Sequence, residues 1–248
     1  ERALSLAPDF AGAEDARTSL AILGFDAEAR NANPAILEKA SAQRPDPIAQ
    51  LRLGQLRERA GDPTKALAAY EAALQASPDN IKAATNAIRL YAATGQTAKA
   101  LELGKSARKL APNDPDVART LGQVAFSTGD YPWAFNLLQD ASRRISEDPE
   151  LQLQLAESAA TVGQGVTAKA AAEKALQLNP VFPNAARARL LLDLQAIRAE
   201  PAKADPAKIA QALAAQPNYA PALMAQGAIE ESKRNSDAAR KTYETVLA

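Results

Sequence analysis

Four glycines, Gly61, Gly95, Gly129 and Gly163, stand 34 residues apart. No other feature constrains the fold of this 248-residue chain as strongly. Five residues after each glycine comes an alanine: Ala66, Ala100, Ala134 and Ala168. Seven further on comes another: Ala73, Ala107, Ala141 and Ala175. Five beyond those sit Pro78, Pro112, Ser146 and Pro180. Four columns that keep one period through four copies define a repeated structural unit rather than one continuous core.

Each column has a physical task. Between a proline and the next glycine the apolar residues fall at helical spacing, as in Leu51, Leu53, Leu56 and Ala60, or Leu151, Leu153, Leu155 and Ala159. The glycine ends that helix, because it enters the left-handed region without a Cβ penalty. Turns such as Asp62-Pro63-Thr64 and Asp130-Tyr131-Pro132 open a second helix, with proline suited to its first turn. The two alanine columns lie seven apart on one face of that helix, where a larger side chain would hold the pair apart. The closing proline stops it. Each unit is therefore an antiparallel helix pair with an apolar face left over, and stacking copies buries that face.

Composition agrees. Sixty residues are alanine and only 11 are aromatic, so close helix contact through small side chains replaces a thick core. Cysteine and histidine are absent, which excludes disulfides, thiol and imidazole catalysis and Cys/His zinc sites. Lys+Arg and Asp+Glu are 29 each, and this neutrality argues against a nucleic-acid partner. No apolar run is long enough to insert in a membrane. Asp148 with Glu150, Glu230 with Glu231, and Lys169 with Lys174 read as solvated helix faces rather than reactive groups. Gly163-Gln164-Gly165 lacks the rest of a phosphate-binding fingerprint. No enzyme activity and no cofactor are expected.

The run Leu53-Gly54…Gly61-Asp62…Ala66…Tyr70…Ala73…Pro78 resembles the tetratricopeptide repeat, and so does Leu121-Gly122…Gly129-Asp130-Tyr131…Ala134…Ala141. That family's early tryptophan is replaced by Gln50, Ala84, Ala118 and Gln152. Its second-helix aromatic survives as Tyr70 but becomes Gly104, Leu138 and Ala172. The resemblance implies an all-α fold, an α-solenoid in which about six to seven units form a right-handed superhelix. Residues 47–80, 81–114, 115–148 and 149–182 are regular units. Residues 11–46 form a looser pair, with helices from Phe10 to Arg30 and Pro34 to Gln43 around Asn31-Ala32-Asn33. Residues 183–219 form a lengthened unit, 220–248 a truncated one, and 1–10 the tail of a preceding one. The ends read as cuts through a longer array. Gly54, Gly122 and Gly227 fall inside first helices, where close approach of the paired helix accounts for them.

The resemblance also implies a non-enzymatic scaffold that binds a peptide or partner protein on the concave face lined by first helices. Candidate residues on that face are Arg52, Gln55, Lys82, Asn86, Arg89, Arg119, Gln123, Phe126 and Glu157. Residues 81–114 carry a net charge of +4. Arg52, Lys82, Asn86, Arg89 and Arg119 could thus form a basic strip for an acidic peptide or a terminal carboxylate, or be ordinary solvated helix faces. Of the carboxylate clamp used by chaperone-docking relatives only Asn86 matches; Leu51, Gln55, Asp116 and Thr120 stand at the other positions. Phe126, Tyr131, Trp133 and Phe135 either anchor a partner or pack between units. The alternative role is a structural spacer, or a segment that self-associates through uncapped ends, in a larger bacterial envelope or secretion protein. Alanine-rich arrays of this kind resemble those of cell-envelope proteins, which points to the periplasm.

Overall fold

The computed structural model describes residues 13–24, 34–43 and 46–247. The expected tail at 1–10, both ends of the Phe10–Arg30 helix and the turn at Asn31-Ala32-Asn33 thus fall outside the described residues. Among the described residues the chain is helical, without strands. It divides into two compact units, 1–112 and 113–248.

In the first unit the helices are α1 (Ala13–Leu23), α2 (Ala35–Gln43), α3 (Pro47–Arg59), α4 (Pro63–Ala76), α5 (Ile81–Ala93) and α6 (Thr97–Leu110). The second unit holds α7 (Pro115–Ser127), α8 (Tyr131–Arg144), α9 (Pro149–Thr161), α10 (Gly165–Leu178) and α11 (Ala185–Ala199). A short 3₁₀ turn (Pro201–Lys203) then leads to α12 (Pro206–Ala215), α13 (Ala220–Ser232) and α14 (Ser236–Leu247). Successive helices pair as α3 with α4, α5 with α6, α7 with α8, α9 with α10 and α13 with α14, and each pair packs on the next within its unit. This is the α-solenoid arrangement.

The helix ends follow from single side chains. Asp62 accepts a hydrogen bond from the Lys65 backbone N–H at 3.0 Å, and Asn80 accepts one from Ala83 at 3.0 Å. Asp114 and Asp148 serve α7 and α9 in the same way. Each cap satisfies an amide that the first helical turn leaves unpaired. At the opposite end of first helices, Gly61, Gly95, Gly129 and Gly163 have φ of 75 to 82°. The N–H that follows closes back on the helix, as from Asp62 to the Arg57 carbonyl at 2.9 Å. Arg234 takes the same left-handed conformation, φ 59°, in the α13–α14 turn, a position where the sequence offers no glycine.

The alanine columns are the seams. Ala66, Ala100, Ala134, Ala168, Ala73, Ala141 and Ala175 are completely buried, and Ala107 is nearly so. Ala141→Leu is therefore expected to lower stability by roughly 1–3 kcal/mol through overpacking, read as a shift of the urea midpoint without a change in slope. An unchanged midpoint would mean that α8 does not pack through this column. Tyr70 fills the one second-helix aromatic position among the four regular repeats, and it is wholly buried. A Cβ at Gly54 would lie inside its ring, and one at Gly227 inside the ring of Tyr243. These first-helix glycines are the close approaches that their placement implies.

Candidate protein-interaction surface

Within each unit, first helices of neighbouring pairs meet, through the Arg89–Glu58 ion pair in one and through direct packing in the other. In the unit 1–112 the first-helix face is built by α3 and α5. Arg52 and Gln55 on α3 are half-buried, as is Asn86 on α5, while Lys82 and Arg89 are exposed. Arg89 is not an open cation. It forms an ion pair with Glu58 at 2.6 Å, and Glu58 also accepts a hydrogen bond from the Tyr70 hydroxyl at 3.1 Å. Partial burial works to raise the Glu58 carboxyl, but Arg89 and Tyr70 outweigh it and hold the group below its usual range.

The second unit repeats this device along its own first helices. Arg119 on α7 pairs with Asp148 at 2.6 Å, the same carboxylate that caps α9. Burial opposes ionisation of Asp148, yet the two α9 backbone N–H groups and Arg119 together keep it below the ordinary carboxylate range. Glu150 accepts from Asn184 at 2.8 Å, and Arg198 donates to the Ala160 carbonyl at 2.7 Å.

Glu157, expected on an open face, is 6% exposed. Arg187 of α11 pairs with it directly, and the Tyr219 hydroxyl donates to it at 2.9 Å. The Arg187 guanidinium also lies over the Tyr219 ring, 5.1 Å from its centroid. Removal from water pushes the Glu157 carboxyl up, and the pull of the partly solvated Arg187 only offsets this. The physical reason for its burial is that α13 packs on α9 as well as on α11. Of α9, only Gln154 between Leu151 and Thr161 escapes full burial.

Gln123 and Phe126 on α7 are half-buried. Phe126 meets Tyr131 edge to face at 5.1 Å, and Tyr131 in turn packs against the cluster of Ala220, Leu223 and Val246. The structure thus joins Phe126 to the packing of its own unit. Of the partners of Arg89, Arg119 and Glu157, only Asp148 was named from the sequence, and there as a solvated acid rather than as half of an ion pair. A signal existed: Glu58 and Arg89 are 31 residues apart, Arg119 and Asp148 are 29, and Glu157 and Arg187 are 30. Opposite charges at nearly one repeat length lie on adjacent first helices.

Two tetratricopeptide-repeat models match the sequence, over residues 27–81 and 58–124. Residues 27–124 thus match the tetratricopeptide-repeat family. No curated protein matches it. Among solved structures, this repeat chain is similar to YrrB, described as a TPR protein with an unusual peptide-binding site. The TM-score is 0.60 at 21% identity, over 81% of this chain and 99% of that one. A tetratricopeptide repeat protein from Parabacteroides merdae gives 0.57 at 16% identity, over 94% and 97%. TTC0263 from Thermus thermophilus gives 0.54 at 22%, over 71% and 99%. These likenesses are of fold. Tetratricopeptide-repeat proteins are in general non-catalytic scaffolds for protein interaction. No described helix is long and apolar enough to cross a membrane.

Proposed function

We propose that the chain binds an extended peptide segment of a partner protein on the first-helix face of the unit 1–112. The observation that carries this reading is a contrast in side-chain satisfaction. On α3 and α5, Gln55, Lys82 and Asn86 have no side-chain hydrogen-bond or ion-pair partner among the described residues, whereas Glu157 in the second unit is buried against its own chain. A primary amide both donates and accepts, so Gln55 and Asn86 suit the backbone of an extended strand, whose own groups need partners. Lys82 adds a preference for an acidic residue beside them. Ion pairing of Arg89 with Glu58 narrows the basic strip and holds α5 against α3. The receptor is then preorganised, and binding orders little besides the peptide.

The test is selection of peptides from a random library on the full chain, followed by affinity measurement on variants. Asn86→Ala combined with Lys82→Glu is expected to weaken the selected peptides about tenfold or more with unchanged helicity, the loss of one or two hydrogen bonds to a charged or amide group. Selected peptides that bind this variant as well as the parent would remove α3 and α5 as the site.

A further inference from the structure

The first-helix face of the unit 113–248 is already occupied. Its occupant is α13. This helix packs against α11, its neighbour in the stack, and also against α9, one pair further back. Tyr219, which precedes it, reaches Glu157 on α9. Farther along the unit, Ala220 and Leu223 of α13 form a cluster with Val246 of α14, and Tyr131 at the start of α8 packs against that cluster beside Leu213 and Met224. The C-terminal helix pair therefore touches elements some 90 residues earlier in sequence.

The filling is imperfect. Gln154 lies on α9 three residues before Glu157, on the same face of the helix, and its Oε1 is buried with no hydrogen-bond partner among the described residues. A buried acceptor in that state lacks what water would have given it. Met224 of α13 adds a flexible, adaptable contact at the cluster of Ala220, Leu223 and Val246. We propose that this face is a helix-binding groove kept shut by α13, and that it opens to a partner helix of the same chemistry. Such a helix presents small and branched apolar residues at the spacing of Ala220, Leu223 and Met224, and brings a hydrogen-bond donor for Gln154. Because α13 is tethered, it holds the groove at an effective concentration on the order of millimolar, so a free helix binds weakly until that hold is loosened.

This inference goes beyond the peptide site on α3 and α5, and its test touches neither helix. The probe is a fluorescent synthetic peptide of residues 217–232, titrated against the full-length chain and read by anisotropy. The chain has no cysteine, so Tyr131→Cys with Leu223→Cys gives one defined pair that a short, reducible thiol crosslinker can bridge. The bridged protein is expected to bind no peptide, and reduction is expected to restore binding. Leu223→Arg in the otherwise unaltered chain is expected to bind the peptide about tenfold more tightly than the parent, since it weakens the tethered competitor alone. Equal binding by bridged and reduced forms would overturn the proposal, as would failure of every form to bind. Should Leu223→Arg lose helicity, the bridged and reduced pair still decides.

Discussion

Tyr70→Ala is expected to destabilise the chain by about 3–5 kcal/mol, the range for removing a fully buried aromatic ring. The ring is completely inaccessible and occupies the space where Gly54 has no side chain. Truncation therefore leaves a cavity between α3 and α4 that the backbone at Gly54 cannot fill. It also takes the hydroxyl from Glu58, leaving that carboxylate to Arg89. The complementary change has a cost of opposite origin. Gly54→Leu forces a side chain into the Tyr70 ring and should destabilise by at least 1–3 kcal/mol. Combined, the two changes exchange volume across one seam. The double variant is expected to be at least 1 kcal/mol more stable than the sum of the single losses, measured by urea denaturation. Strict additivity would show that Gly54 and Tyr70 do not share a contact.

Glu157 gives the second large effect, and the chemistry of the replacement decides its sign. Glu157→Ala leaves the Tyr219 hydroxyl and one side of Arg187 without their acceptor. Loss of a partner in a buried pair costs about 3–5 kcal/mol, but the Arg187 side chain is 40% exposed, so about 2–3 kcal/mol is expected here. Glu157→Gln keeps an acceptor for Tyr219 and removes the buried charge. Because burial raises this carboxyl in the folded chain above its ordinary 4.5, its stabilising contribution is full below that value and is lost as pH rises through the folded value. Unfolding curves of the parent and of Glu157→Gln should therefore nearly coincide at pH 4. The glutamine form should gain relative to the parent toward neutral pH. A gap that is constant with pH, or that runs the other way, would show that Arg187 outweighs desolvation.

The helix pairs were legible in the sequence because their determinants are local and recur. A glycine with positive φ, an Asx cap and a proline in the first turn act within a few residues, and alanine at two fixed positions reports a contact with the adjacent helix. The face was less legible. Arg89 reads as an open cation until Glu58 is seen beside it, and Glu157 reads as a surface acid until α13 is found against α9. The first of these depends on charges one repeat apart, which the sequence holds but a motif does not display. The second depends on packing between helices two pairs apart, α13 on α9, which no single column encodes. For the same reason Phe126 could be read as an anchor or as packing; the structure gives it an edge contact with Tyr131 and leaves its ring half-buried.

The double engagement of Asp148 shapes how an array like this can grow. It is the last residue of its module, yet its carboxylate caps the first helix of the module that follows while it grips an arginine on the first helix of its own. Acid and cation therefore sit at opposite ends of one module and are copied together whenever that module is duplicated. The cap passes to whichever first helix comes next. Each such module carries its own clasp and also prepares the start of its successor, so lengthening by whole modules loses neither contact.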